Sequence, residues 1–194
     1  MFDVPGQFAV KRCRRCGLVF QDPQPSSKIL EKHYPRQDYY SYKGKIKGLS
    51  GLIRQFRGYL IKNYYQPTIV SKVFSLLIQQ VPGIPQKPKG KSWRILDVGC
   101  GTGDTLEGLQ ELGWDTYGLE IDQQAIKLAK QRGLKKIRLG GYEKIADFPN
   151  KYFDCIRLYH VIEHLPNPRR CLQLIYQKLK PGGEVVLGTP NAGS

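Results

Sequence analysis

Residues 95–103 read ILDVGCGTG, an apolar strand pattern that breaks into alternating glycines directly before a helical pattern. Such glycines remove side chains where the backbone must turn tightly against a ligand, and the helix that follows presents unpaired N–H groups to it. A dinucleotide fingerprint would need its third glycine at position 104, where Asp104 stands instead. This acid, together with Asp97, favours a zwitterionic, cationic ligand over a pyrophosphate.

Strand and helix patterns alternate along the second half of the chain. Strands are predicted at residues 95–98, 114–120, 136–139, 153–159 and 184–188. The alternation indicates a parallel sheet with right-handed crossovers. We therefore expect an α/β fold: a Rossmann-like, doubly wound, mostly parallel sheet of five strands, preceded by a helical front segment.

Three helices are predicted between these strands. The first covers residues 104–112, and the second is capped by Asp122. Asn167 can cap the third, which begins at Pro168. The predicted apolar face of this third helix comprises Leu172, Ile175 and Leu179.

Four motifs in this order resemble those of the class I S-adenosylmethionine-dependent methyltransferases. They are the glycine turn after Asp97, the strand 114–120 that ends in Glu120, the stretch FDCIRLYHVIEH at 153–164, and PGGEVVL at 181–187. One glycine motif would be weak evidence, but four in register indicate the family. The resemblance divides the chain into a basic front segment, 1–91, and a cofactor-binding core, 92–194.

The resemblance implies that S-adenosylmethionine binds beyond the carboxyl ends of the strands. Glu120 would accept both ribose hydroxyls, because two neighbouring donors match the two oxygens of one carboxylate. Ile121 would pack on the adenine, and Tyr142 falls at the adenine edge, where the family's usual Asp is not evident. The expected cofactor contacts are Asp97, Gly99, Cys100, Gly101, Gly103, Glu120, Ile121, Tyr142 and His160.

The turn at 160–164 carries the candidate catalytic side chains His160, Glu163 and His164. We choose His164 as general base for an acceptor hydroxyl, with His160 nearer the cofactor. The alternative is that Glu163 and His164 brace the loop backbone. The turn resembles ubiquinone-type O-methyltransferases, some of which hold a divalent metal on Glu-x-x-Glu-His. Because His160 replaces the first acid here, a metal at Glu163 and His164 stays open and no metal ligand is assigned.

The front segment is strongly basic. Residues 1–91 carry 17 Lys/Arg against 4 Asp/Glu, a net charge of +13 out of +15 for the chain. A linker rich in proline, glycine and lysine, 81–91, is expected to separate this segment from the core. Helices predicted at 52–65 and 69–78 would form a lid, as in family members that look like this. The charge either solvates the surface or attracts an anionic partner such as a nucleotide sugar, a lipid phosphate or RNA.

Cys13-x-x-Cys16 has the spacing of one zinc knuckle. Many methyltransferases that resemble this chain carry a front zinc ribbon of two such pairs, but only one pair is present here. A structural zinc needs four ligands, and the other cysteines lie inside predicted core elements. We interpret the pair as a remnant that has lost its partner, rather than as a zinc site.

Composition and the chain start favour a cytoplasmic protein with reduced thiols. No apolar run approaches the ~20 residues of a membrane span, the start lacks the charged-then-apolar order of a signal peptide, and the five cysteines are an odd count.

Three function classes remain. A small-molecule O- or C-methyltransferase, acting on a sugar, a lipid-linked or another small acceptor, is preferred because of the 153–164 motif. An RNA methyltransferase is supported by the basic front segment, but no Asn/Asp-Pro-Pro-aromatic turn or recognised RNA-binding module is evident. The third class is an inactive, cofactor-binding interaction protein.

The predicted sheet is shorter than that of the family. The resemblance implies seven strands, two of which would follow residues 188–191, and only three residues remain there. The strand 184–188 would then be an open, apolar edge that invites pairing with another chain. We expect self-association through this strand or a companion chain that supplies the lost strands.

Overall fold

The structure is a computed structural model that describes residues 9–23, 59, 64–65, 68–69, 83–86 and 92–190. The chain forms two compact units, Met1–Tyr39 and Tyr40–Ser194. The boundary between the two compact units, after Tyr39, therefore lies well before the domain boundary that the sequence predicts between residues 91 and 92. The functional division at that boundary stays a prediction.

The described part of the first unit is an antiparallel hairpin. Strands β1 (Ala9–Arg12) and β2 (Val19–Asp22) pair from Ala9 opposite Asp22 to Arg12 opposite Val19. The turn between them contains the Cys13-x-x-Cys16 pair.

The second unit contains a five-stranded parallel sheet. Its strands in chain order are β3 (Trp93–Val98), β4 (Trp114–Glu120), β5 (Ile137–Leu139), β6 (Phe153–Tyr159) and β7 (Leu179–Gly188). They are arranged in the order β5-β4-β3-β6-β7, and all neighbours are parallel. The predicted Rossmann-like α/β fold is confirmed. Because the strands are parallel, the residues that follow β3, β4 and β6 meet at one edge of the sheet.

Three α-helices and two short 3₁₀ helices connect the strands: α1 (Asp104–Glu111), α2 (Gln123–Gln131), α3 (Pro168–Lys178), and the 3₁₀ segments Tyr142–Asp147 and Ile162–His164. The Asp122 carboxylate accepts hydrogen bonds from the N–H groups of Gln124 and Ala125 at 2.7 and 3.2 Å. The Asn167 side chain accepts one from Arg170 at 2.9 Å. Both predicted N-caps are confirmed.

The end of α3 differs from the prediction. Leu172 is 42% exposed, whereas Cys171, Leu174 and Ile175 form the buried face. The helix ends at Lys178, and Leu179 already pairs with Phe153 in β7. Residues 181–183 form an irregularity inside the strand rather than a turn before it, because Cys155 next pairs with Glu184. Leu179 therefore belongs to the strand and not to the helical face.

Apolar side chains cover both faces of the sheet, because successive residues of a strand point to opposite sides. One cluster contains Leu96, Val98, Ile156 and Leu158 together with the buried face of α3. The other contains Ile95, Cys155 and Trp114 with Leu106 and Leu109 of α1.

Residues 83–86 pack on this second face, although they lie in the predicted linker. Ile84 and Pro85 are buried, and the Gln86 N–H donates to Glu184 at 2.6 Å. The Tyr65 hydroxyl donates to the Pro85 carbonyl at 2.9 Å and accepts from the Trp114 indole at 2.9 Å. Ile84 and Pro85 are therefore part of the core layer, and Gln86 is bound to its edge through Glu184. The proline- and lysine-rich composition predicted a linker here. Composition alone could not reveal that distant strands bury part of this segment.

The predicted front helices at 52–65 and 69–78 fall largely outside the described residues. Within the described residues, no helix has both the length and the apolar character that a membrane crossing requires.

Candidate functional site

The turn between β3 and α1 is built by glycines in the left-handed region. Gly99, Gly101 and Gly103 have φ angles of 73°, 55° and 78°, which other residues adopt only with strain. The N–H groups of Gly99 and Cys100 both donate to the Leu119 carbonyl, at 2.8 and 3.1 Å. The turn is thus held against the end of β4.

Two of these glycines are also required by packing. A Cβ atom on Gly99 would lie 2.5 Å from Val161 Cγ2, and one on Gly103 would lie 2.2 Å from Leu134 Cδ1. The sequence suggested close approach to a ligand, and the structure adds close approach to the protein's own side chains.

Glu120 ends β4 directly beside the glycine turn. Its carboxylate is 1% exposed, and Oε2 accepts the Gly101 N–H at 2.7 Å. Oε1 accepts the N–H groups of Ile121 and Asp122 at 2.8 and 3.0 Å. Because two carboxylate oxygens offer about four acceptor positions, one position remains on Oε2. To accept both hydroxyls of a ribose, the carboxylate must share or release the Gly101 N–H.

Asp97 is paired with a residue that the sequence reasoning missed. Both Asp97 oxygens accept from Nη1 of Arg157 at 2.9 Å, and both side chains are buried. Burial raises the pKa of Asp97, and the neighbouring guanidinium opposes that rise. Asp97 and Arg157 are direct partners across β3 and β6. An arginine among the apolar residues in the middle of a predicted strand is the sequence signal that could have indicated a buried partner.

Asp104, whose acid in place of a third glycine favoured a cationic ligand, forms an ion pair within the protein. Its Oδ1 lies 2.6 Å from Nη1 of Arg132, which also contacts Glu107 at 2.8 Å. The Thr102 hydroxyl donates to the other Asp104 oxygen at 3.0 Å. Asp104 is therefore engaged in an ion pair within the protein, and it shares that guanidinium with Glu107.

The remaining predicted cofactor contacts have different exposures. Ile121, which follows Glu120 at the end of β4, is 65% exposed and lies beside Gly141. Tyr142 is buried in the apolar cluster under α3, and burial raises the pKa of its hydroxyl. The Cys100 thiol lies against Gly118, and burial raises its pKa well above the usual range. Ile121 is thus the accessible apolar surface, whereas Tyr142 offers little of its ring.

His160, Glu163 and His164 lie together where β6 ends. Glu163 Oε1 is 3.5 Å from His160 Nδ1 and 3.8 Å from His164 Nε2. His160 has a φ of 55°, and its N–H donates to the Gly188 carbonyl at 2.8 Å. A non-glycine residue in the left-handed region is uncommon, and such strain concentrates at functional sites. The Glu163 carboxylate thus lies within salt-bridge distance of two half-exposed imidazoles.

The hairpin cysteines form a separate feature. The Gly17 N–H donates to the Cys13 carbonyl at 2.9 Å, and hydrogen bonds from the Cys16 and Arg15 backbones lower the pKa of the Cys13 thiol. Among the described residues, no three His, Cys, Asp or Glu side chains come together in a way that could hold a metal ion.

Comparison with known proteins identifies the family. A family model described as "Methyltransferase domain" matches residues 68–194. The "Ubiquinone biosynthesis O-methyltransferase" of Idiomarina loihiensis is 32% identical over 103 residues, which cover 50% of this chain and 42% of that protein. The protein of the same name from Colwellia psychrerythraea is 30% identical over 131 residues, which cover 64% of this chain and 53% of that protein.

Among solved structures, a SAM-dependent methyltransferase from Archaeoglobus fulgidus is similar with a TM-score of 0.49 and 28% identity, covering 70% of this chain and 59% of that one. The chain spans about half the length of the curated relatives it matches. The glycine turn, the strand order and the matched family domain agree. The chain belongs to the class I S-adenosylmethionine-dependent methyltransferases.

Proposed function

We propose that this chain binds S-adenosylmethionine at the edge formed by the glycine turn and Glu120, and that the protein methylates an oxygen of a small molecule. The observation that carries the proposal is the meeting, at the carboxyl ends of parallel strands, of a left-handed glycine turn, an acid ending β4 and a histidine–carboxylate cluster ending β6. The names of the relatives support oxygen as the accepting atom.

The residues present fit the proposed cofactor. Glu120 has an acceptor position for a ribose hydroxyl, and the exposed Ile121 offers an apolar surface to the adenine. Asp97, held by Arg157 directly before the turn, is proposed to lie near the amino group, and Gly101 leaves the turn without a side chain. Tyr142, Cys100 and His160 remain proposed contacts.

The bound cofactor supplies an electrophilic methyl group on a sulfonium. The protein must then hold an acceptor behind that methyl and remove the proton of its hydroxyl. His164 is proposed as the base. Glu163 is proposed to orient His164 and to balance the positive charge that it gains with the proton. His160 is proposed to lie nearer the cofactor. The acceptor we propose is a hydroxylated small molecule, and a screen of such compounds with methyl-labelled cofactor tests this.

A contribution of Glu120 to cofactor binding is tested by Glu120→Ala. We expect S-adenosylmethionine to bind about ten- to hundredfold more weakly, because hydrogen bonds to a charged group contribute roughly 1.5–3 kcal/mol. Calorimetry measures the affinity. Glu111→Gln, at the opposite end of α1, is the matched control and should bind as the wild type does. Equal affinity of Glu120→Ala and wild type would refute the assignment.

The edge strand β7 is proposed to pair with another chain. Val185 and Leu187 are 38% and 47% exposed, and β7 lies at one end of the described sheet. An apolar edge with unpaired backbone groups favours strand addition. We expect micromolar protein to self-associate and Leu187→Lys to weaken that association at least tenfold. Leu139→Lys, on the opposite edge strand β5, is the control. Ultracentrifugation that finds only monomer for the wild type would contradict the proposal of self-association.

A further inference from the structure

Arg157 connects three parts of the second unit. It lies in β6 and is 4% exposed. Its Nη1 donates to both oxygens of Asp97 at 2.9 Å, and its Nε donates to the Gly83 carbonyl at 3.1 Å. The guanidinium carbon lies 4.7 Å from the centre of the Tyr159 ring. The guanidinium is fixed in position, because it donates hydrogen bonds to Asp97 and to Gly83 and stacks on the Tyr159 ring.

The buried Asp97 carboxylate needs a nearby positive charge to stay ionised, and Arg157 supplies it. The carboxylate is 1% exposed, and burial of a charge is unfavourable unless the charge is paired. Glu120 at the end of β4 and the Cys100 and Cys155 thiols also face this region, and none of them supplies positive charge. Burial, Glu184 of β7 and Asp97 all raise the pKa of the Cys155 thiol. Arg157 is therefore the cation that compensates Asp97.

The same side chain fixes the segment that precedes the core. The Gly83 carbonyl is bound by Arg157 Nε, and a Cβ atom at Gly83 would lie 2.9 Å from that nitrogen. Residues 84 and 85, which follow, are buried on the sheet. Gly83, which precedes β3, and the acid before the glycine turn are thus bound by one guanidinium.

We propose that Arg157 is a positioning residue for the cofactor site: it keeps the Asp97 carboxylate charged and oriented before the glycine turn, and it ties residues 83–86 to the same place. This inference rests on the proposed binding of S-adenosylmethionine for its effect on affinity. The charge of Asp97 can also be measured without any ligand.

The test compares wild type, Arg157→Met and Arg157→Lys between pH 5.5 and 7.5. Removal of the guanidinium raises the pKa of Asp97 further, so the carboxylate becomes protonated as the pH falls through that higher value. We expect Arg157→Met to bind S-adenosylmethionine at least tenfold more weakly at pH 5.5 and to recover part of the loss at pH 7.5. Arg157→Lys, which keeps the charge, should lie between the two. Arg94→Met, which removes an arginine stacked on Tyr152, is the control and should follow the wild type.

The ligand-free readout is the carboxyl carbon signal of Asp97 in a pH titration by nuclear magnetic resonance. We expect its midpoint to lie at least about one pH unit higher in Arg157→Met than in the wild type. Asp97→Asn/Arg157→Met should bind weakly without the added pH dependence. Unchanged affinity and an unchanged midpoint in folded Arg157→Met would overturn the inference, and if that variant unfolds, the same two results in Arg157→Gln, which also lacks the charge, would do so. Failure of the wild type to bind the cofactor, with the midpoint shifted as expected, would instead remove the proposed function.

Discussion

Gly101→Val is expected to abolish binding of S-adenosylmethionine. Gly101 has a φ of 55° and its N–H is bonded to Glu120. A β-branched residue is strongly disfavoured at this angle and would also place methyl groups at the proposed methionine position. We expect a loss of affinity greater than a hundredfold, measured by calorimetry.

Gly113→Val separates this loss from general destabilisation. Gly113 has a φ of 92°, and a Cβ atom there meets nothing within 4 Å. Both variants carry similar backbone strain, on the order of 1–2 kcal/mol or more, and should lower the melting temperature by similar amounts. Gly113→Val should nevertheless bind the cofactor as the wild type does. If the two variants bind equally well, the glycine turn is not the cofactor site.

His164→Ala is expected to lower turnover by about a hundredfold or more, while cofactor affinity stays near that of the wild type. A positioned base contributes roughly 10²–10⁴ to the rate of a reaction that must remove a proton. The measurement is methyl transfer to an accepting hydroxyl compound at saturating cofactor, together with calorimetry of cofactor binding.

Glu163→Gln is the companion variant. It keeps the size of the side chain between the two imidazoles but removes the charge that lies 3.8 Å from His164 Nε2. We expect a smaller loss of turnover than for His164→Ala. A fall in stability and cofactor affinity in both variants, in proportion to the loss of turnover, would identify the cluster as a brace for the loop.

The sequence predicted the features that depend on near neighbours. The five strands, the caps Asp122 and Asn167 and the glycine turn were all confirmed, because alternation, capping and positive φ are decided within a few residues. The predictions were wrong where a feature depends on residues that are distant in the chain. Leu179 was counted in α3 because its spacing fits a helix, whereas pairing with Phe153 makes it a strand residue.

Family membership and the chain order of the strands follow from the sequence by itself, since the four motifs occur in register along the chain. Only the tertiary structure decided how the charges of the site are compensated. Asp97 and Arg157 are far apart in the chain and meet through the register of β3 and β6, and Asp104 meets Arg132 across two helices. Burial of Ile84 and Pro85 likewise depends on strands that lie far along the chain. The physical reason is that backbone propensities act locally, whereas the burial and pairing of a charge depend on which distant side chains the folded sheet brings beside it.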